Sequence, residues 1–227
     1  IIEENNRAKL KTLTKNYTPE DLSAIILASL KSMFEKGTNQ ELNQCVITVP
    51  AFFSDIERQA TIKAAEIAGI KALRLINEPT AALLAYGLEN ESKGNYVVYD
   101  LGGGTFDVSV LKLIDGIFQV KATLGDVELG GDDFDLAICK HFNMQEDLFL
   151  ETAKSLKHQL SESDIANVEF SNETYTLSAD QFYELSKPLL DKTIAIIGQA
   201  IEDSEIEEID GIVLVGGSTK MRIVKQA

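Results

Sequence analysis

Two aspartates and a threonine surround three consecutive glycines in the segment DLGGGTFD at residues 100–107. An apolar run stands on each side of the segment, which predicts a strand, a glycine turn and a second strand. Because glycine has no side chain, the backbone can approach a bulky anion and cradle a phosphate at Gly102, Gly103 and Gly104. The side-chain oxygens of Asp100, Thr105 and Asp107 are of the kind that suits a Mg²⁺–phosphate complex.

A second glycine turn, Gly216-Gly217-Ser218, follows the apolar run at residues 212–215. Ligands of open α/β sheets collect where strands end, and helix N-termini bind phosphate. Taken alone, the first turn could be a glycine-rich hairpin with solvated aspartates, and the second an ordinary connection from strand to helix. If both turns face one cleft, they serve the same polyphosphate, which favours a nucleotide site.

The elements that must position these turns alternate between short apolar runs and amphipathic segments, which predicts an α/β fold. Capping residues Thr18, Ser54 and Ser178 each predict the start of a helix, the last of which reaches about residue 204. In the helix after Ser54, the spacing places Ile67 on the inward side. Short buried strands are expected at residues 45–49, 72–76 and 212–215.

Composition excludes several classes of partner and site. The 227 residues include 36 acidic and 21 basic side chains, so a net charge of −15 argues against nucleic acid and anionic membranes as partners. Two cysteines far apart in the sequence predict buried thiols in a reducing compartment. No apolar run approaches the roughly 20 residues of a membrane span, and we expect a cytoplasmic protein. The only histidines, His141 and His158, lack the spacing of zinc ligands, and no GxxxxGK[ST] loop occurs.

Five ordered motifs resemble the nucleotide-binding domain of the DnaK-type heat-shock chaperones. They are ITVPAFF at residues 47–53, RLINEPTAA at 74–82, DLGGGTFD at 100–107, LGGDDFD at 129–135 and VLVGGST at 213–219. The resemblance implies an actin-like, ribonuclease-H-like ATPase fold of two lobes that binds ATP or ADP with Mg²⁺. It covers the chain from about Thr18 onwards, and residues 1–16 fit the family poorly.

The resemblance implies a catalytic role for four residues. Asp100 and Asp107 would bind the Mg²⁺ shell, through water, or the attacking water itself. Thr105 would lie near the γ-phosphate, and Glu78 would position water or metal from the first lobe. The implied chemistry is transfer of a phosphoryl group to water.

The same resemblance assigns the remaining site residues. Lys157 and Ser161 match a helix that clamps the adenosine, with the aliphatic part of Lys157 along the base. Pro50 and Arg58 fall where the family couples hydrolysis to its peptide-binding domain, although Arg58 taken alone is typical of a solvated helix charge. Contacts to phosphate are implied for Gly102, Gly103 and Gly104, and contacts to phosphate and ribose for Gly131, Gly216, Gly217 and Ser218.

This sequence departs from the family pattern at the expected adenosine site and in the length of one segment. His158 and Lys154 replace residues that usually contact the adenosine, and Lys220 stands for a frequent arginine. The stretch at residues 134–160 is short, which resembles the HscA branch that serves iron–sulfur cluster assembly. The implied partners are a J-domain co-chaperone, client proteins held by a peptide-binding domain outside this chain, and an iron–sulfur scaffold protein.

The family's opening Asp-x-Gly-Thr-Thr loop is missing, so we expect an incomplete first lobe at residues 1–92 and a second lobe at 93–227. Lys93 and Gly94 are expected to form a hinge, and Asp115-Gly116 a tight hairpin. Without the opening loop, this chain alone is expected to hydrolyse ATP negligibly. Two other functions stay open, a metabolite kinase of the same superfamily and a non-catalytic interaction module.

Overall fold

The computed structural model describes residues 1–4, 7–13, 15–88, 91 and 93–227. These residues form two compact units, Ile1–Ala81 and Ala82–Ala227. The mixture of helices and sheets confirms the predicted α/β class. The lobe boundary predicted at residue 92 lies outside the described residues and stays a prediction.

The first unit is built around a parallel pair of strands. Its elements are β1 (Ile2–Glu4), β2 (Arg7–Lys11), β3 (Asn16–Tyr17), α1 (Pro19–Thr38), β4 (Gln44–Val49), α2 (Asp55–Ile67) and β5 (Lys71–Asn77). Strands β1 to β3 form a small antiparallel sheet, and β4 pairs in parallel with β5. Capping boxes at Thr18 and Ser54 begin α1 and α2, as predicted. The boundary between the units falls within α3 (Glu78–Ala85).

The first unit has a small core made largely of short side chains. The buried apolar residues among its described residues are Ala24, Val49, Ala64, Ala65, Ile70 and Pro79. Helix α2 therefore packs through alanines, and Ile67, which was expected to face inward, is 51% exposed. The expectation was wrong because the buried side of α2 is centred on Ala64 and Ala65.

The second unit holds a four-stranded sheet and most of the helices. Its elements are β6 (Lys93–Leu101), β7 (Phe106–Ile114), β8 (Ile117–Asp126), α4 (Gly131–His141), α5 (Glu146–Gln159), β9 (Ile165–Phe170), β10 (Glu173–Ser178), α6 (Ala179–Ser204), β11 (Gly211–Val215) and α7 (Arg222–Gln226). The sheet order is β11-β6-β7-β8, with β11 parallel to β6. A short 3₁₀ turn, Gly217–Lys220, follows β11.

Two predictions for the connections had opposite outcomes. Asp115 and Gly116 both have positive φ between β7 and β8, which confirms the tight hairpin. Lys93 and Gly94 belong to β6 and pair with Ile114 and Leu113 of β7. The predicted hinge was wrong because ladder pairing fixes the backbone at both positions.

Strand β6 is buried on both faces, and its alternation decides where its last residues lie. Val97, Tyr99 and Leu101 belong to the larger apolar cluster, which also contains side chains of α4, α5 and α6. Tyr96 and Val98 belong to a smaller cluster on the other face. Because side chains alternate along a strand, Asp100 lies on the face of the smaller cluster, at the carboxyl end of β6, which is one of the two inner strands of the sheet.

Candidate functional site

The turn at residues 102–105 closes the hairpin between β6 and β7. Leu101 and Phe106 face each other where the strands meet the turn, and both side chains are fully buried. The Phe106 ring also packs against Tyr99, with 4.7 Å between the ring centroids. This apolar anchorage fixes the base of the turn, while Gly103, Gly104 and Thr105 remain exposed.

Asp100 and Asp107 are directly opposite each other in this hairpin. Both are half-buried, and burial raises the pKa of each carboxyl group. The negative charge of Asp100 raises the pKa of Asp107 further. Two facing carboxylates that are partly shielded from solvent repel each other, and a cation bound between them would relieve that repulsion.

The oxygen donors in this turn fit Mg²⁺ that arrives with a phosphate group. Magnesium commonly takes one or two carboxylates, and waters and phosphate oxygens complete its octahedral shell. Asp100 and Asp107 supply such carboxylates. Within the ranges that the structure describes, no cluster of three or more His, Cys, Asp or Glu residues could hold a metal ion.

Three glycine-containing turns meet around the carbonyl groups of Gly102 and Gly103. The Gly102 carbonyl accepts a hydrogen bond from the Gly131 N–H at 2.9 Å and another from the Ser218 hydroxyl at 2.8 Å. The Gly103 carbonyl accepts from the Asp132 N–H at 2.7 Å. The start of α4 and the turn after β11 are thus both hydrogen-bonded to the turn between the aspartates.

Glycine is required where these turns approach each other most closely. Gly216 has φ of 88°, and a Cβ atom there would overlap the Leu101 carbonyl and stand 2.7 Å from an oxygen of Asp100. At Gly131, a Cβ atom would overlap the Ser218 hydroxyl. A side chain at Gly216 would push the two turns apart, and one at Gly131 would displace the Ser218 hydroxyl from the Gly102 carbonyl.

The hydrogen bonds to the two carbonyls determine where the neighbouring N–H groups point. The C=O and N–H of a planar trans peptide point in opposite directions, and the described chain has no cis peptide. Since the Gly102 and Gly103 carbonyls bond to the start of α4, the N–H groups of Gly103 and Gly104 point away from it. Neither N–H has an acceptor among the described residues. Two oriented donors therefore remain available for an anion.

Lys157 is buried, and its ammonium group makes two hydrogen bonds within the protein. Its Nζ donates to the Gly131 carbonyl and to Asp135 Oδ2, both at 2.7 Å. Burial raises the pKa of Asp135, and the hydrogen bond from Lys157 acts in the opposite direction. Ser161 is half-buried one turn further along, and its hydroxyl is directed to the Lys157 carbonyl. The adenosine contacts of Lys157 and Ser161 stay a prediction.

Three of the predicted site residues belong to the first unit. Glu78 is exposed at the first position of α3, and Pro50 follows β4 in the first unit. Arg58 of α2 is half-buried, and its guanidinium donates to the carbonyls of Phe53 and Ala51 and to the Asn77 side chain. The interpretation of Arg58 as a solvated charge was therefore wrong, and its coupling role stays a prediction.

Sequence reasoning gave no role to Asp135, although its position carried a signal. Asp135 lies in α4 next to Phe134 and one helical turn before Ile138 and Cys139, all of them fully buried. A charged residue on the apolar side of a helix requires a buried partner. That partner, Lys157, is on the next helix, which the pattern of α4 alone does not reveal.

No helix in the described ranges of the chain is long and apolar enough to cross a membrane.

Comparison with known proteins gives one consistent result. The family model described as Hsp70 protein matches residues 1–227, so the expectation that residues 1–16 fit the family poorly was wrong. A "Chaperone protein HscA homolog" of Methylobacillus flagellatus is 46% identical over 245 residues, covering all of this chain and 38% of that protein. A protein with the same description from Ralstonia pickettii is 44% identical, over all of this chain and 39% of that protein. The chain thus spans about two fifths of these relatives' length, and it belongs to the Hsp70 family.

Proposed function

We propose that this chain is part of the ATP-binding and ATP-hydrolysing domain of an Hsp70 chaperone, with an actin-like arrangement of its lobes. The observation that carries the proposal is the glycine turn between Asp100 and Asp107. Its carbonyls are held by two other turns, and the N–H groups of Gly103 and Gly104 have no acceptor among the described residues. Such a turn presents fixed donors to phosphate oxygens. Because its backbone is already ordered, binding of phosphate requires no further loss of backbone entropy.

The residues around the turn would share the work of phosphoryl transfer to water. The N–H groups of Gly103 and Gly104 donate to phosphate oxygens, and the Thr105 hydroxyl is close enough in sequence to assist them. Asp100 and Asp107 accept hydrogen bonds from water and fix its orientation. Mg²⁺ bound with the nucleotide would neutralise charge on the phosphates. Most of the rate enhancement would come from positioning and preorganised dipoles.

The comparisons support the chaperone class over a metabolite kinase. The relatives that match the whole chain are described as HscA chaperone homologues. We therefore propose that hydrolysis drives binding and release of client proteins, that a J-domain co-chaperone stimulates it, and that the clients include an iron–sulfur scaffold protein. The short segment at residues 134–160 is consistent with the HscA branch.

ATP hydrolysis by the full-length protein tests the proposal. Asp100→Asn should lower the rate by at least about a hundredfold, because it removes a charge that acts on the reacting centre. Asp115→Asn is the matched control, since Asp115 is an exposed hairpin residue whose positive φ asparagine adopts readily. Equal rates in Asp100→Asn and wild type would reject the catalytic assignment.

A second measurement separates the chaperone from the kinase. We expect a J-domain protein together with an unfolded peptide to accelerate ATP hydrolysis by the wild-type protein. A metabolite kinase would instead consume ATP only when a small acceptor is added, and would release a phosphorylated product. Stimulation by an acceptor but not by peptide and J-domain would overturn the chaperone proposal.

A further inference from the structure

The ion pair between Lys157 and Asp135 is among the most deeply buried charged groups in the described chain. The side chains are 6% and 1% exposed, and Nζ lies 2.7 Å from Asp135 Oδ2. The other carboxylate oxygen of Asp135 is buried without a partner among the described residues. A buried pair with an unsatisfied oxygen stabilises a fold little compared with apolar side chains of similar size. This pair therefore calls for an explanation other than stability.

The ion pair is connected to the glycine turn through two peptide groups in series. Lys157 Nζ donates to the Gly131 carbonyl, and the same peptide group donates through the Asp132 N–H to the Gly103 carbonyl. The Gly103 carbonyl and the Gly104 N–H belong to the same peptide group. Both contacts are 2.7 Å, and hydrogen bonds in such a chain polarise one another.

We propose that Asp135 is a positioning residue for phosphate binding, acting through Lys157. Asp135 holds the ammonium group at the Gly131 carbonyl, and this contact fixes the orientation of the Gly103–Gly104 peptide. The N–H of Gly104 is thereby aimed at the place of a phosphate oxygen. The inference rests on the proposed nucleotide-binding function and adds Asp135 as the residue that orients the Gly103–Gly104 peptide.

This role differs from a direct contact of Lys157 with the adenosine. An ammonium group that donates to Gly131 and Asp135 acts at the phosphate end of the ligand. Loss of the ion pair should then weaken ligands that carry phosphate and spare those that lack it. Loss of an adenosine contact should weaken both kinds of ligand equally.

Calorimetric titration of the full-length protein with Mg–ADP, and with adenosine by competition, distinguishes the two roles. The double variant Asp135→Asn/Lys157→Met removes both charges at similar volume. It should bind ADP about tenfold more weakly, because a charge-assisted hydrogen bond contributes about that factor to a dissociation constant. Its affinity for adenosine should be unchanged.

Lys187→Met is the matched control, because it removes an exposed Lys–Asp pair on α6. If the double variant does not fold, Lys157→Met alone replaces it, since methionine keeps the aliphatic part of the side chain and removes the donor to the Gly131 carbonyl. An unchanged ratio of ADP to adenosine affinity in the folded variants would overturn the inference. Failure of the wild type to bind ADP would instead overturn the proposed function itself.

Discussion

At the scale of single residues, the site is defined by charges that repel and by positions where a side chain does not fit. Asp100 and Asp107 are directly opposite each other on two paired strands, and both side chains are half-buried. Like charges directly opposite in a sheet are destabilising by roughly 0.2–1 kcal/mol. A pair kept in spite of that cost is better explained by what it binds than by stability.

The first prediction concerns the pH dependence of stability. The pKa of Asp107 lies above its usual value of 3.8 in the folded chain, because burial and Asp100 disfavour its charged form. Between 3.8 and the raised value the folded state binds more protons than the unfolded state, so stability falls as pH rises through that window. Asp107→Asn should therefore melt about 1–4 °C higher than wild type at pH 7. The difference should vanish below pH 3.8.

Melting curves of wild type, Asp107→Asn and the exposed control Asp115→Asn across this pH range check the prediction. The difference between variant and wild type is the relevant quantity, since other carboxyl groups titrate in all three proteins. A variant that melts lower than wild type at pH 7 would contradict the account of the paired charges.

The second prediction concerns the turn after β11. Gly216→Ala should reduce the free energy of unfolding by about 1–3 kcal/mol, because φ is positive and the Cβ atom would overlap the Leu101 carbonyl. Gly217→Ala is the matched control, since a Cβ atom there meets nothing within 4 Å. Urea denaturation of both variants decides the matter, and equal losses would show that the approach of the turns is not tight.

At the scale of elements, capping and alternation in the sequence predicted much of the fold. The capping box at Ser178 and the apolar spacing after it predicted α6, which ends at Ser204. The hinge at Lys93 and Gly94 was wrong, because glycine and a polar neighbour resemble a linker and only cross-strand pairing shows otherwise. Arg58 was misjudged for a similar reason, since its acceptors come from a loop and from the end of β5.

The third prediction tests how Arg58 ties α2 to its surroundings. Arg58→Met removes hydrogen bonds to the Phe53 and Ala51 carbonyls and to Asn77, and leaves those half-buried acceptors without a donor. The first unit should lose about 1–3 kcal/mol of stability. Arg74→Met is the control, because Arg74 is exposed. Hydrogen exchange of α2 amides measures the effect, and equal protection in both variants would show that these bonds contribute nothing.

At the scale of the whole molecule, most of the buried apolar side chains among the described residues belong to the second unit. The second unit carries two apolar clusters, one on each face of its sheet, and it holds the three glycine turns together. The sequence predicted the turns individually, but not which atoms join them. The bonds from Gly131 and Ser218 to one carbonyl depend on α4 and β11, which lie far apart along the chain.

In the proposed function, the N–H groups of Gly103 and Gly104 bind the phosphates of a nucleotide. Amide spectra of the full-length protein labelled with ¹⁵N at glycine detect this binding at each group, because each of them gives its own signal. Addition of Mg–ADP should move the Gly103 and Gly104 signals strongly downfield, as expected when an N–H donates to an anionic oxygen, whereas the Gly116 signal at the far hairpin should stay in place. Saturation with Mg–ADP that leaves the Gly103 and Gly104 signals unmoved would contradict the account.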